Sequence, residues 1–195
     1  MDGSLEKCSS LNDGINRQIS QMIYKLLPLF YGLLPVSEDE RIDLIASQLK
    51  IESTELFNTK AFLTEDKVLG IYTSFPSESL KVLQMGSAMA FLKHIHSDDK
   101  SKYLEALKEY SKIISDAPND CYYLSRISVP EAEQGSGVAS FLLEQFFLEG
   151  KDFKQFGLHV KQENSRAIRF FEKNGFKRFD CPGMRFDTMI KNNQT

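Results

Sequence analysis

Six consecutive residues, Gln134-Gly135-Ser136-Gly137-Val138-Ala139, have the types and the order that hold an anion. A β-branched run ends just before them at Ile127-Ser128-Val129-Pro130. Behind them Ser140-Phe141-Leu142-Leu143-Glu144-Gln145-Phe146-Phe147 reads as a helix. Strand, tight turn and helix in that order leave N–H groups without partners at the helix start, where the peptide dipoles add positive charge. Gly135 and Gly137 carry no Cβ, so a phosphate can approach their backbone closely. The pattern reads as a seat for a pyrophosphate.

The elements that must position this seat follow from periodicity. Leu5 to Leu11 reads as a short first strand. Ile15, Ile19, Met22, Ile23, Leu26 and Phe30 recur at helical spacing, and Pro28 should kink or end that helix. Ser37 with Glu40 three residues on forms a capping box for a helix carrying Ile42, Leu44, Ile45 and Leu49. Phe57–Thr64 and Val68–Thr73 read as strands joined by a turn at Glu65-Asp66-Lys67. Helical periodicity over Ser79–Ser115 is broken at Ser97-Asp98-Asp99. Cys121–Val129 is the central strand, Phe156–Val160 the next, and Asn164 caps a helix to Lys173 that Gly175 terminates. Phe176–Phe179 and Met184–Ile190 close the chain as strands around a Cys181-Pro182-Gly183 turn, with Lys191 to Thr195 frayed. The order predicts an α/β (α+β) protein, with a mixed, mostly antiparallel twisted sheet of six to seven strands and helices on both faces. One domain is expected over 1–195, with a helical insertion at about 79–117 before the central strand.

Bulk composition narrows the partners. With 24 basic against 27 acidic side chains the net charge is -3, which favours neither nucleic acid nor an anionic membrane surface. Cys8, Cys121 and Cys181 are far apart and form no pair motif, which suits a reducing cytoplasm. The acidic start, Met1 to Glu6, does not read as an export signal. The apolar run from Met22 to Val36 contains Lys25, Pro28 and Pro35 and is too short to span a bilayer. His94 and His96, two apart in a helical segment, do not share a face, and no cluster has metal-ligand spacing, so no metal is expected.

Two kinds of pyrophosphate ligand compete for the turn. A dinucleotide site wants a third glycine where Ser140 stands and a turn directly after the strand, whereas Pro130 to Glu133 intervene. No G-K-[ST] follows the glycines, which excludes a Walker loop. The pattern [RQ]-x-x-G-x-[GA], met by Gln134, Gly137 and Ala139, instead resembles the acyl-coenzyme A signature of the GCN5-related N-acetyltransferases, the GNAT superfamily. Asn164 to Phe176 is similar to that family's N-x-x-A-x-x-x-Y-x-x-x-G-F segment, one strand later, and Met184–Lys191 resembles its last strand.

The resemblance implies acetyl-CoA as cosubstrate and direct transfer of its acetyl group to an amine in a ternary complex. It implies a central strand that splays from its neighbour at a bulge. Ile127, Ser128 and Val129 would meet the pantetheine arm, and the N–H groups of Gln134, Gly135, Ser136, Gly137, Val138 and Ala139 would hold the pyrophosphate. Asn164 would bond the arm from the other side, with Phe170 or Phe171 beside the sulfur. Phe171 stands where the family often has a tyrosine to protonate the thiolate, so Tyr122 or Tyr123 is the substitute, or water serves, because a thiol of pKa ~8.5 leaves readily. Asp120, Glu133 and His159 are the candidate bases, and His159 lies out of phase with Phe156, Leu158 and Val160. A non-catalytic acyl-CoA-binding protein is the alternative that Phe171 keeps open. The acceptor is expected to be a small-molecule or peptide amine, selected by the insertion, which has apolar residues to spare for a homodimer interface as well.

Overall fold

The computed structural model describes residues 3–65 and 67–193. Seven strands form one sheet: β1 (Ser4–Lys7), β2 (Thr59–Thr64), β3 (Lys67–Pro76), β4 (Tyr122–Ser128), β5 (Gln155–Lys161), β6 (Lys177–Phe179) and β7 (Phe186–Asn192). Their spatial order is β1-β2-β3-β4-β5-β7-β6. Every neighbouring pair is antiparallel except β4 with β5, so the expected mixed, mostly antiparallel sheet is present. Among the described residues seven α-helices accompany it: α1 (Asp13–Leu26), α2 (Pro28–Tyr31), α3 (Glu38–Gln48), α4 (Leu80–Leu92), α5 (Lys100–Ser111), α6 (Val138–Glu149) and α7 (Ser165–Lys173).

Local chemistry sets the helix ends. Asn12 Oδ1 accepts from the Ile15 N–H at 3.0 Å to start α1, and Pro28 stops α1 and opens α2 at a position where its missing N–H costs nothing. Ser37 and Glu40 form the expected capping box of α3. Asn164 caps α7 through the Ala167 N–H, and Gly175, at φ 86°, supplies the left-handed residue that ends it.

Alternation along the strands then builds two cores. Ala61, Leu63 and Ile71 face Ile19 and Ile23 of α1, Ile45 of α3 and Phe91 of α4. Phe62, Tyr72, Leu124, Phe156 and Leu158 face Leu142 and Phe146 of α6 and Phe171 of α7. Each such side chain contributes about 1.5–3 kcal/mol by leaving water. A polar knot ties the second core together at the end of α6. Glu149 accepts from Lys60, Tyr72 and, at 3.0 Å, Tyr122, and it lies 3.3 Å from the Ser74 hydroxyl.

Several boundaries differ from the sequence expectation. The first strand stops at Lys7 because Cys8 turns inward to full burial through a 3-10 turn, Cys8–Ser10. Phe57 belongs to another 3-10 turn, Glu55–Asn58, rather than to β2. β3 runs on to Pro76 because Ser74, Phe75 and Pro76 continue pairing with β4. His94 and His96 lie beyond α4 in the connection to α5, where His96 faces Asp98. Lys191 and Asn192 are strand rather than frayed, since they pair with β5. The readings placed on Met1, Asp2, Asp66, Gln194 and Thr195 lie outside the described residues. Among the described residues no helix is long and apolar enough to cross a membrane.

The insertion docks through one glycine. A Cβ at Gly86 would lie 1.7 Å from the Ser53 carbonyl oxygen. Beside it Gln48 Nε2 donates to the Ser87 carbonyl at 3.0 Å, and Ser87 Oγ accepts from the Glu55 N–H at 3.2 Å. Gly86→Ala should therefore push α4 off this segment. The clash is with backbone that cannot swing aside, so a loss of about 1–3 kcal/mol should outweigh the ~1 kcal/mol of helix propensity that alanine adds. Urea denaturation of the two proteins measures the difference.

Candidate active site

The site begins where a strand acquires one residue too many. β3 and β4 pair Thr73 with Arg126 but Ser74 with Leu124, so Ser125 is an unmatched residue in β4. Such a bulge bends its strand and increases the local twist. The parallel ladder between β4 and β5 holds only over Tyr122–Phe156, Tyr123–Gly157 and Leu124–Leu158. From there Ser125–Ser128 and His159–Lys161 part. Ile127 and Ser128 keep their partners in β3, Tyr72 and Ile71, so the β5-side edge is the one left open. A cleft of about 1210 Å³ opens at this parting, and Ile127, Val160, Asn164 and Phe171 lie along it.

The anion seat lies just past β4. The chain leaves Pro130, makes a 3-10 turn at Glu131–Glu133, and enters α6 through Gly137, the N-cap, at φ 92°. Gly135 is also left-handed at φ 87°, and a Cβ there would meet nothing within 4 Å. The Gln134 N–H is spent on the Glu131 carbonyl at 3.1 Å and the Ser136 N–H on the Glu133 carbonyl at 3.3 Å. Those two amides, expected to serve an anion, instead close the turn. The N–H groups of Gly135, Gly137, Val138, Ala139 and Ser140 have no acceptor among the described residues, and no side chain caps the helix. Gln134 contributes differently, by accepting from Arg166 of α7 and so joining the two helix starts.

The expected aromatic pair divides. Phe171 is buried against Phe176 and reaches the cleft, while Phe170 packs edge-on to Phe171 with ring centroids 5.3 Å apart and does not. Asn164 lies along the cleft with Oδ1 engaged at the helix cap, which leaves its amide NH₂ for another partner. Ser128 ends β4 and Val129 follows it, and neither lies along the cleft.

Five side chains are candidates for proton transfer. Tyr123 and His159 are brought together, with the Tyr123 hydroxyl 2.7 Å from His159 Nδ1. Ser115 Oγ is 3.0 Å from His159 Nε2 and 3.1 Å from Thr188 Oγ1, which carries the chain of polar contacts away from the cleft. Burial lowers the His159 pKa, against the opposing pull of Asp116, so the imidazole is neutral at neutral pH. Burial and the nearby Glu55 carboxylate push the Tyr123 phenol up, with Arg126 opposing. Tyr122 is a correction: one residue earlier in the strand, it faces the second core. There it stacks on Phe146 and bonds Glu149, and burial raises its phenol to about 12. Asp120 stands at the rim, exposed, with φ 51° in the turn before β4. Glu133 pairs with Lys67 outside the cleft.

Sequence reasoning missed the most buried charges at the site. Arg126 and Glu55 form an ion pair at 2.5 Å with side chains only 8% and 9% exposed. Ser125, the bulge residue, bonds both of them. Arg126, the one charged residue of β4, was the available signal; Glu55 gave none, since it belongs to no motif and lies 71 residues away.

Residues 103–178 match the family model described as the acetyltransferase (GNAT) domain. That stretch contains β4, the seat, the split and the α7 cap. Over this stretch the chain is similar to the GNAT acetyltransferase domain. Solved acetyltransferase structures carry a similar fold over nearly the whole chain. A crystal structure of an acetyltransferase superposes with a TM-score of 0.72 at 20% identity, covering 98% of this chain and 100% of that one. An N-acetyltransferase from Staphylococcus aureus Mu50 gives 0.69 at 18%, covering 96% and 99%. The PaiA N-acetyltransferase from Thermoplasma acidophilum, solved in complex with coenzyme A, gives 0.54 at 15%, covering 98% and 99%. A sequence search of curated proteins finds no match.

Within this GNAT fold the buried pair is a stability hazard if halved. Arg126→Met leaves Glu55 as an uncompensated buried charge and should cost about 3–5 kcal/mol. Adding Glu55→Gln to Arg126→Met should recover more than half of that. A double-mutant cycle by urea denaturation checks the coupling.

Proposed function

We propose that the protein transfers the acetyl group of acetyl-CoA to a primary amine by direct attack while both substrates are bound. The observation that carries this reading is the adjacency of the open amides before α6 and the parted β4 and β5 strands. A diphosphate fits the Gly135, Gly137, Val138, Ala139 and Ser140 amides, where exposed left-handed glycines leave room. The amide groups of a pantetheine arm fit the unpaired edge of β4 around Ile127 to Val129, with Asn164 opposite and Phe171 beside the thioester end. When bound, acetyl-CoA supplies an activated acyl group whose leaving thiol needs little assistance at neutral pH.

The chain's own part is to handle the amine's proton. We assign His159 the tautomer in which Nδ1 accepts from the Tyr123 hydroxyl and Nε2–H faces Ser115 Oγ, with the Asp116 backbone near the ring. As the amine attacks, Tyr123 Oη takes its proton and passes its own to His159 Nδ1. The neutral imidazole is the competent form. Water supplies the proton to the departing thiolate, since Phe171 has no hydroxyl and Tyr122 faces the other core. The insertion supports acceptor selection: Leu80, Phe91, Tyr103 and Leu107 reach the cleft. Its outward residues Val82, Met85 and Met89, 70%, 70% and 55% exposed, suit the second use, contact with another copy.

The seat is tested at Ser140. Gly137 is a poor probe because its φ of 92° strains any side chain. Ser140 is exposed in the first turn of α6, where glutamate is favourable to the helix and can fold back onto the N-cap amide. Ser140→Glu should keep or raise the melting temperature while weakening coenzyme A binding at least tenfold, measured by calorimetry. Undiminished affinity contradicts the seat, and coenzyme A binding without amine-dependent thiol release in the parent protein favours a binding-only role.

The proton path has a pH signature. Because burial holds His159 below its ordinary value of about 6.5, kcat/KM should fall on acidification only below that pH as the imidazole protonates. His159→Gln should lower the rate and flatten this limb. A limb that persists in the variant assigns the base elsewhere.

A further inference from the structure

The two close hydrogen bonds of Arg126, to Glu55 Oε2 at 2.5 Å and Ser125 Oγ at 2.8 Å, both leave from Nη1, and the Tyr31 hydroxyl also lies near the guanidinium. Its Nε is buried and has no partner among the described residues. Nε–H and Nη2–H form the planar edge of a guanidinium that grips a carboxylate with two parallel bonds. An unmade bond at a buried charged donor is costly, and natural structures rarely leave one without a reason. Glu55 shows the same one-sidedness, because every side-chain bond it accepts ends on Oε2.

Both groups line the cleft together with Tyr31 and Tyr123, so they face the space where the acceptor must sit. Around them the walls are apolar and aromatic, formed by Phe30, Phe91, Tyr103 and Leu107. A negative and a positive group, fixed side by side between such walls, complement a ligand that carries an ammonium and a carboxylate at similar spacing. A simple amine would leave the Arg126 edge unmet, and a polyamine would bring a second cation against Arg126. Tyr123 adjoins the Glu55 side of the pair, so an ammonium held there is beside the proton acceptor.

We infer that the acceptor is an α-amino acid with an apolar or aromatic side chain, its carboxylate on the Nε/Nη2 edge of Arg126 and its amino group at Glu55 Oε1. This names the substrate class of the site proposed above and rests on that reading for turnover, though not for binding.

The test pairs phenylalanine, tyrosine, leucine and methionine with the corresponding decarboxylated amines, using the full chain. Binding is read by thermal shift without coenzyme, and turnover by thiol release with acetyl-CoA. At least one amino acid should raise the melting temperature more than its amine and exceed it tenfold or more in kcat/KM. Arg126→Lys, which keeps the charge beside Glu55 but lacks the fork, should bring that ratio down tenfold. Equal or better binding of the amines, or no stabilisation by any of the amino acids, overturns the inference, as does an unchanged ratio in Arg126→Lys. If that variant does not fold, the comparison on the parent protein decides alone. Amino-acid binding without thiol release, in a protein that coenzyme A does not stabilise, would retain the carboxylate site and remove the transferase reading.

Discussion

The structure of the site depends on the mismatch at Ser125. Without it β4 and β5, seven residues each, have the length to pair along most of their course. Strict alternation would also set Leu124 and Arg126 on one face of the sheet. The extra residue separates them: Leu124 stays opposite Ser74 in the second core, while Arg126 moves opposite Thr73 and meets Glu55 on the other side. One inserted position thus ends the parallel ladder, exposes a backbone edge and collects Tyr123, Ser125 and Arg126 along one cleft.

The unsatisfied groups are placed where they cost least or serve most. The free amides of Gly135 and Gly137 belong to exposed residues, so water satisfies them until a ligand replaces it. The ion pair is different. Two charges with less than a tenth of their side chains exposed gain little net stability even when well paired, and an apolar pair of similar volume would often do as well. Retaining them at the floor of a cleft is therefore easier to explain by what they bind than by what they hold together. The Glu149 knot on the opposite face is the contrast, because Lys60, Tyr72 and Tyr122 leave its carboxylate engaged on both oxygens.

What was legible in the sequence was local. Ser37 with Glu40, Pro28, Asn164 and Gly175 announce helix ends through contacts within four residues of themselves, and each does so in the structure. The period-two pattern placed His159 opposite Phe156, Leu158 and Val160, and it does lie apart from their core. The same rule could not choose between Tyr122 and Tyr123, because adjacent residues face opposite ways and only the α6 packing decides which faces the cleft. The fate of the Gln134 and Ser136 amides depended on a 3-10 turn that no residue type dictates. Glu55 was out of reach, since its partner is fixed by the register of three strands and the docking of α4 at Gly86 and Ser87.

The three thiols bear on the order of events. Cys8 is buried beneath the sheet with its thiol pushed up to about 12, and burial raises Cys121 as well. Burial also opposes ionisation of Cys181, but hydrogen bonds with Ser115 and Thr188 outweigh it and lower that thiol; Cys181 does not line the cleft. A thiolate is the nucleophilic form, so a cysteine that carried the acyl group between substrates would have to be both ionisable and in the cleft. No cysteine meets both conditions. Without a thiol fit to carry the acyl group, the proposed transfer has to be a direct attack with both substrates present together.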